Sequence, residues 1–361
     1  MLIDKYRPDS LSALSFNKEA NTFFKAVASQ TNMPHIIIEG ARGSGKRLRA
    51  ELYLKEKYGN LNTMSKVLNI TVPGKTELKQ IHVLHSHYHY QLNPSIHNIY
   101  DRSLIQCFMA EILHTRLKIP YFIVILEDAD LLSVEAQESM RRTLETCIQT
   151  CRFIFLVNNE ARLIPPLYSR CVTVKTASPT YSELTNIMTT ICSKEKFTIS
   201  AENLTLIARA SNRNLRSALH MLNKYMLVQG TAKPGTPKLP FSRVDYDNVY
   251  RHCTKIVGEL IKGKNIVDTI KTVREQIYEL VNYCVDCRDL LPILLKIAID
   301  RLPATAHNER LALCEVASKR DNSIRASSKD IYHVEGMCLY IFKVFKIFMH
   351  QKAVLIKKSK K

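Results

Sequence analysis

The residues best placed to do chemistry lie in one run, Gly40-Ala41-Arg42-Gly43-Ser44-Gly45-Lys46-Arg47, directly behind the apolar triplet Ile36-Ile37-Ile38. Gly40, Gly45 and Lys46 keep the G-x-x-x-x-G-K spacing of a phosphate-binding P-loop, with Gly43 and Ser44 inside the loop. Glycines let the backbone curl so that successive N–H groups point at a phosphate. The helix that follows adds the positive end of its dipole, and the lysine adds a point charge. The next position should carry a Ser or Thr hydroxyl for Mg²⁺, and Arg47 stands there instead. A cation does not coordinate a cation. The loop should hold nucleotide phosphates, with Mg²⁺ weak or absent and no protein metal site. An ordinary strand-to-helix turn with a surface lysine has the same local appearance.

A second group of candidates closes the run Tyr121-Phe122-Ile123-Val124-Ile125-Leu126-Glu127-Asp128-Ala129-Asp130. A short apolar stretch ending in acids fits a central parallel strand that delivers carboxylates to a phosphate site. In P-loop NTPases the first acid holds the metal through water and the second positions or deprotonates the attacking water. Here the usual Asp-Glu order is inverted to Glu127-Asp128, and Asp128 is one methylene short of the usual base. A misplacement of about 1 Å can cost on the order of 100-fold in rate. Acids after a strand also serve as helix N-caps, a role that Asp130 and Ser133 suit.

The surrounding elements are legible in outline. Asp4-Lys5-Tyr6-Arg7-Pro8 reads as an extended X-Pro segment, followed by a helix around Glu19 to Ala28. Val67 to Val72 reads as a strand with a polar turn after it, and Asp101 to Leu113 as a helix. His82, His85, His87 and His89 lack partner ligands at metal spacing, and His87 and His89 alternate with tyrosines as on a strand. Ala136 to Glu145 is helical, Phe153 to Val157 is a buried strand ending in Asn158-Asn159, and Val172-Thr173-Val174 is a last strand. Ser178-Pro179-Thr180 starts a helical segment to about Gly230, and the Gly/Pro-rich stretch Gly230 to Pro240 reads as a linker. From Asp245 the pattern is helical only. One face carries Ile266, Ile270, Val273, Ile277, Leu280 and Val281. Another carries Val334, Cys338, Ile341, Phe342, Phe345 and Phe348, capped by Ser327/Ser328.

Bulk properties narrow the class. A chain of 361 residues should form two or three domains. Its 52 Lys+Arg against 33 Asp+Glu, net +19, favour a polyanionic partner, either nucleic acid or an anionic surface. The ten cysteines are irregularly spaced and read as reduced core residues, including the lone C-x-x-C at Cys284 and Cys287. No signal peptide is evident, and the apolar stretch Met337 to Met349 is broken by Lys343 and Lys346, so no membrane span is expected.

Read together and in order, Asp4-Lys5-Tyr6-Arg7-Pro8, the P-loop, Glu127-Asp128-Ala129-Asp130, Met140-Arg141-Arg142-Thr143-Leu144-Glu145 and Pro166-Leu167-Tyr168-Ser169-Arg170-Cys171 resemble a small subunit of replication factor C, the AAA+ sliding-clamp loader of eukaryotes. The resemblance covers nearly the whole chain. It implies an α/β P-loop fold, a RecA-like parallel sheet with flanking helices, at 1–176. A helical lid follows at 177–232 and an all-α collar at 233–361. It implies that Arg170 is an arginine finger given in trans to a neighbouring subunit, that Asn158 is the sensor-1 residue, and that Arg216 is the sensor-2 arginine. Arg7 and Pro8 would lie near the adenine. Arg102, and more weakly Arg141 and Arg142, would meet DNA phosphates. The implied partners are the other subunits of a heteropentamer, the PCNA clamp and primer–template DNA, in the nucleus. The departures at Arg47 and Glu127-Asp128 resemble the one small subunit of that complex with a degenerate ATP site. Val273 to Leu280 and Ala326 to Glu335 resemble the same subunit. The alternatives are an autonomous AAA+ DNA-dependent ATPase and a scaffold that binds no nucleotide.

Overall fold

The structure, a computed structural model, describes residues 1–71, 78–95, 100–113, 120–147, 149–230, 247–263, 265–283, 285–303, 305–327 and 329–358. They fall into two compact units, Met1–Leu239 and Pro240–Lys361. The expected linker beyond Gly230, Cys284 of the C-x-x-C pair, Ser328 and the last three residues of the basic tail lie outside the described residues.

The first unit is built on a seven-stranded sheet of β1 (Ile36–Glu39), β2 (Met64–Thr71), β3 (Leu78–His85), β4 (His89–Leu92), β5 (Phe122–Leu126), β6 (Cys151–Val157) and β7 (Val172–Lys175). Its order is β2-β3-β4-β5-β6-β1-β7. The five strands from β4 to β7 run parallel, and β2 and β3 extend that edge antiparallel. Continuous apolar runs suit strands buried on both faces, and the period of two divides them cleanly. Ile36, Ile38, Ile123, Ile125, Ile154 and Leu156 face one core, beneath α2 (Lys18–Ala28) and α3 (Lys46–Tyr58). Ile37, Val124, Leu126, Phe153 and Phe155 face the other, beneath α4 (Asp101–Leu113) and α5 (Val134–Thr146). A short α1 (Leu2–Lys5) precedes them.

Two expectations need correction here. His87 is not on a strand. The Ser86 hydroxyl accepts from the backbone N–H of Tyr88 and of His89, both at 3.2 Å, and closes a tight turn between β3 and β4. Nor does Asp130 cap the next helix: Ser133 accepts from the Ala136 N–H and is the N-cap of α5, whereas Asp130 is buried and turned toward β6.

After β6 comes α6 (Pro165–Tyr168), opened by a proline whose fixed φ suits the first helical turn. The lid helices are α7 (Tyr181–Lys194), α8 (Ala201–Ala210) and α9 (Leu215–Gly230). The first of them starts with a capping box in which Thr180 accepts from the Glu183 N–H and Glu183 accepts from the Thr180 N–H.

The second unit consists, among the described residues, of α10 (Asn248–Lys262), α11 (Ile266–Asn282), α12 (Cys287–Arg301), α13 (His307–Ala326) and α14 (Ile331–Lys358) around one core. Val273, Ile277 and Leu280 pack there with Val334, Cys338, Ile341, Phe342 and Phe345. Arg274 forks onto the nearly buried Glu335 at 2.6 and 3.0 Å and ties α11 to α14. Ile266 is exposed rather than part of the buried stripe. Ser327 closes α13 instead of capping α14. No helix among the described residues is long and apolar enough to cross a membrane.

Candidate nucleotide site

The strand order brings the chemical residues together. β6 lies between β1 and β5, so the P-loop, Asn158 and Glu127-Asp128 all leave the carboxyl ends of three adjacent parallel strands. That rim is where open α/β sheets bind ligands.

The loop itself is held in shape from below. A Cβ on Gly40 would overlap the Thr176 carbonyl at the end of β7. Gly43 and Gly45 sit at φ +82° and +83°, a left-handed backbone that side chains rarely adopt. The Ser44 hydroxyl is buried and pairs with the Thr176 hydroxyl at 3.2 Å, so Ser44 offers the site only its backbone.

Arg49 is the strongest brace. It is fully buried, donates to the Ser44 carbonyl at 2.7 Å, the Phe16 carbonyl at 3.1 Å and Asn21 Oδ1 at 3.1 Å, and lies over the Phe16 ring. Burial pushes its pKa down to about 10.

Lys46 closes the loop. Its Nζ donates to the Gly40 carbonyl at 2.5 Å, the Ala41 carbonyl at 3.1 Å and Asn158 Oδ1 at 2.9 Å. Burial pushes its pKa down to about 8; Asp128 and Asp130 oppose that shift, and Arg42 and Arg216 add to it. Asn158 in turn donates to Asp128 Oδ1 at 3.0 Å. Its backbone N–H donates to Asp130 Oδ1 at 3.1 Å. Asp128 sits in the left-handed region at φ +47°, and its second oxygen accepts from Asn93 at 3.2 Å.

Arg47 and Glu127 form a separate pair. Arg47 Nη1 lies 3.3 Å from Glu127 Oε1, and Arg47 Nε donates to Glu51 Oε1 at 3.0 Å. Arg7 is also bonded to Glu51, and Gln91 to Glu127.

Beside the loop opens a cavity of about 500 Å³ lined by Tyr6, Arg7, Pro8, Ile187, Ile191 and Arg216, among others. Arg216 reaches it from the first turn of α9, and Asn214 just before that helix lies against Gly43. The chain start is fastened to α7 through Glu195, which accepts from Tyr6 and pairs with Lys5, both at 2.7 Å.

The remaining arginines lie elsewhere. Arg170 is bonded to Glu145 at 2.6 and 2.8 Å and to the Pro166 carbonyl at 2.9 Å. Arg102 is half exposed and 3.4 Å from Glu135, next to a buried Asp101 that ties the start of α4 to Ser133. Arg141 stands 4.0 Å from Glu145, and Arg142 is exposed.

Arg49, Gln91, Glu51 and Asn214 were missed in the sequence, and Asp130 was read there as a cap. Only Arg49 left a signal: a cation three residues after Lys46, on the face shared by Ala50 and Tyr53 that otherwise carries core residues.

Comparison with known proteins agrees in order along the chain. Residues 16–180 match the family described as DNA polymerase III, delta subunit. Residues 186–224 match the RCF1/5-like AAA+ ATPase lid domain, and residues 251–350 the replication factor C subunit 3 C-terminal domain. Replication factor C subunit 3 of Homo sapiens is 28% identical over 354 residues, 96% of this chain and 96% of that protein. Subunit 5 of Saccharomyces cerevisiae is 28% identical over 347 residues, covering 92% and 96%. A solved structure of Thermotoga maritima RuvB, 15% identical over 81% of this chain and 92% of that one, superposes at a TM-score of 0.49, too slight to bear on what the site does. With three family matches in sequence order and relatives aligned nearly end to end, the chain belongs to the replication factor C small subunits, beside those numbered 3 in animals and 5 in fungi.

Proposed function

We propose that the chain is a subunit of a heteropentameric replication factor C clamp loader, which uses ATP to open the PCNA ring and place it at primer–template junctions in the nucleus. In this reading it holds ATP or ADP in its own pocket, hydrolyses it poorly, and completes the neighbouring subunit's site with Arg170. Residues 1–176 carry the nucleotide, 177–232 form the lid, and 233–361 join the collar of the ring.

The observation that carries the reading is the pairing of an intact phosphate cradle with a disabled hydrolytic side. The cradle fits a nucleotide: three glycines shape the loop, Lys46 supplies charge, Arg216 reaches the cavity from the lid, and Arg7 and Pro8 also line it. Bound ATP supplies the phosphoanhydride. Around it the loop N–H groups would hold phosphate oxygens, Lys46 would join them by turning its ammonium from the Gly40 and Ala41 carbonyls, and Asn158 links Lys46 to Asp128.

The hydrolytic side fits less well. Asp128 accepts from Asn158 on one oxygen and from Asn93 on the other, which fixes its carboxylate, and its side chain is one methylene short of the usual base. Glu127 is held by Arg47 and Gln91. A Mg²⁺ ion needs near-octahedral oxygen ligands at about 2.0–2.1 Å, and Arg47 offers it none.

An arginine suits the trans role because its charge is permanent and its fork matches phosphate oxygens. Arg170 is a third exposed and lies in the turn just after the short α6, outside the lining of the chain's own cavity. Arg102, Arg141 and Arg142 supply cations for DNA phosphates without reading bases.

The test is reconstitution with the partner subunits. PCNA loading and DNA-stimulated ATP hydrolysis should need this chain, while the chain alone should turn over little ATP. Sustained Mg²⁺-dependent turnover by the isolated chain would support an autonomous motor instead. Failure to bind any nucleotide would support a scaffold.

A further inference from the structure

We propose that Arg47 is a resident counter-ion that takes the place of the divalent metal, so that the pocket binds nucleotide di- and triphosphates equally well without Mg²⁺. The proposal rests on the reading that the cavity takes a nucleotide, and it goes further by naming the ionic form of the ligand.

The placement comes first. Arg47 occupies the first turn of α3, directly after Lys46, where a hydroxyl would hold the metal. From there its guanidinium spans to the strand-end acid: Nη1 is 3.3 Å from Glu127 and Nε is 3.0 Å from Glu51. In a metal-using site these are the two sides between which the ion sits. Here the protein's own cation joins them.

The charge balance comes second. Arg7, Arg47, Glu51 and Glu127 form one connected cluster of two cations and two anions, in which Gln91 also donates to Glu127. The acids that would attract a metal are already neutralised. A divalent ion placed among them would meet the Arg47 charge at contact distance, with repulsion in place of ligation. The loop's own hydroxyl, on Ser44, does not restore a ligand, because it is buried on Thr176. Among the described residues no group of three or more His, Cys, Asp or Glu side chains converges as a metal site.

The remaining capacity comes third. A guanidinium carries five N–H donors, more than its two carboxylate contacts use, and Arg47 lines the cavity while being 44% exposed. A phosphate seated on the loop would meet a fork suited to two of its oxygens. The electrostatic part of the metal's work, neutralising phosphate charge next to the P-loop lysine, is thereby built into the chain.

The full-length chain, stripped of nucleotide, is titrated with ADP by calorimetry in Mg²⁺ and again in EDTA. The two dissociation constants should agree within about twofold, since the contact replaced is one charge-assisted hydrogen-bond pair already present in both buffers. Arg47→Thr supplies a hydroxyl and removes the cation. It should bind ADP about tenfold or more weakly in EDTA and regain affinity in Mg²⁺. Wild-type binding that needs Mg²⁺, or Arg47→Thr binding in EDTA as tightly as wild type, overturns the proposal and leaves the nucleotide pocket standing. No ADP binding in either buffer overturns the pocket reading, and the proposal with it.

Discussion

The Arg170 guanidinium rests on Glu145, with Nη2 at 2.6 Å and Nε at 2.8 Å from one carboxylate oxygen. Glu145 is half exposed and Arg170 a third exposed, and pairs of this kind contribute about 0–1 kcal/mol. The contact reads as a rest position from which the arginine can be drawn at small cost. Glu145→Gln should shift urea unfolding of the chain by less than about 1 kcal/mol. A loss of about 3 kcal/mol or more would mark the pair as a structural tie.

Lys46 gives a pH dependence. Its pKa in the fold is pushed down to about 8, against an ordinary 10.5, by burial first of all. A phosphate ligand needs the protonated form. ADP affinity should therefore be flat below pH 8 and weaken above it, by at most about tenfold per pH unit. Calorimetry at pH 9 in buffers of different ionisation enthalpy should report proton uptake on binding. Between about 8 and 10.5 the unfolded chain binds the extra proton, so this group alone makes the free protein more stable as pH rises. Affinity unchanged through pH 9 would remove Lys46 from the phosphate.

Arg49 gives a stability prediction. Its removal strands the Ser44 and Phe16 carbonyls and the Asn21 amide oxygen beneath the loop. Each buried acceptor left unmet costs about 1–3 kcal/mol. Arg49→Met should lower unfolding stability by about 2 kcal/mol or more and weaken ADP binding, read by urea titration and calorimetry. A variant as stable as wild type would show that the brace is dispensable.

Arg102 gives a salt prediction. It is half exposed and held only loosely at 3.4 Å by Glu135. In the assembled loader, Arg102→Ala should weaken DNA binding uniformly across sequences and reduce the salt slope by about 1. An unchanged slope would place Arg102 off the DNA.

The sheet was legible because its strands are unbroken apolar runs bounded by turn residues, and the core helices because Ser133 and Thr180 mark their starts. The β2–β3 extension was half seen. Leu78 to His85 alternates weakly and is rich in His and Lys, so only Val67 to Val72 read as a strand, within an observed β2 that starts at Met64. Of the positions singled out by motif or by family resemblance, Lys46, Asp128 and Asn158 stand within hydrogen-bond reach of one another. What stayed hidden were side chains whose partners are distant in sequence. Asp130 looks like a cap until β6 brings Asn158 beside it, and Glu51 looks like a surface acid until Arg7 and Arg47 converge on it. The same holds for Ser86, whose hydroxyl turns an apparent strand into a bend.

The central claim is that this subunit keeps a nucleotide it scarcely cleaves and completes the site next door. Single-turnover ATP hydrolysis at the neighbouring subunit, measured in the assembled loader on primer–template DNA, tests it most directly. Arg170→Ala should slow that step by about 10³-fold or more with the complex still assembled. Hydrolysis and clamp loading at the wild-type rate in that variant would contradict the claim.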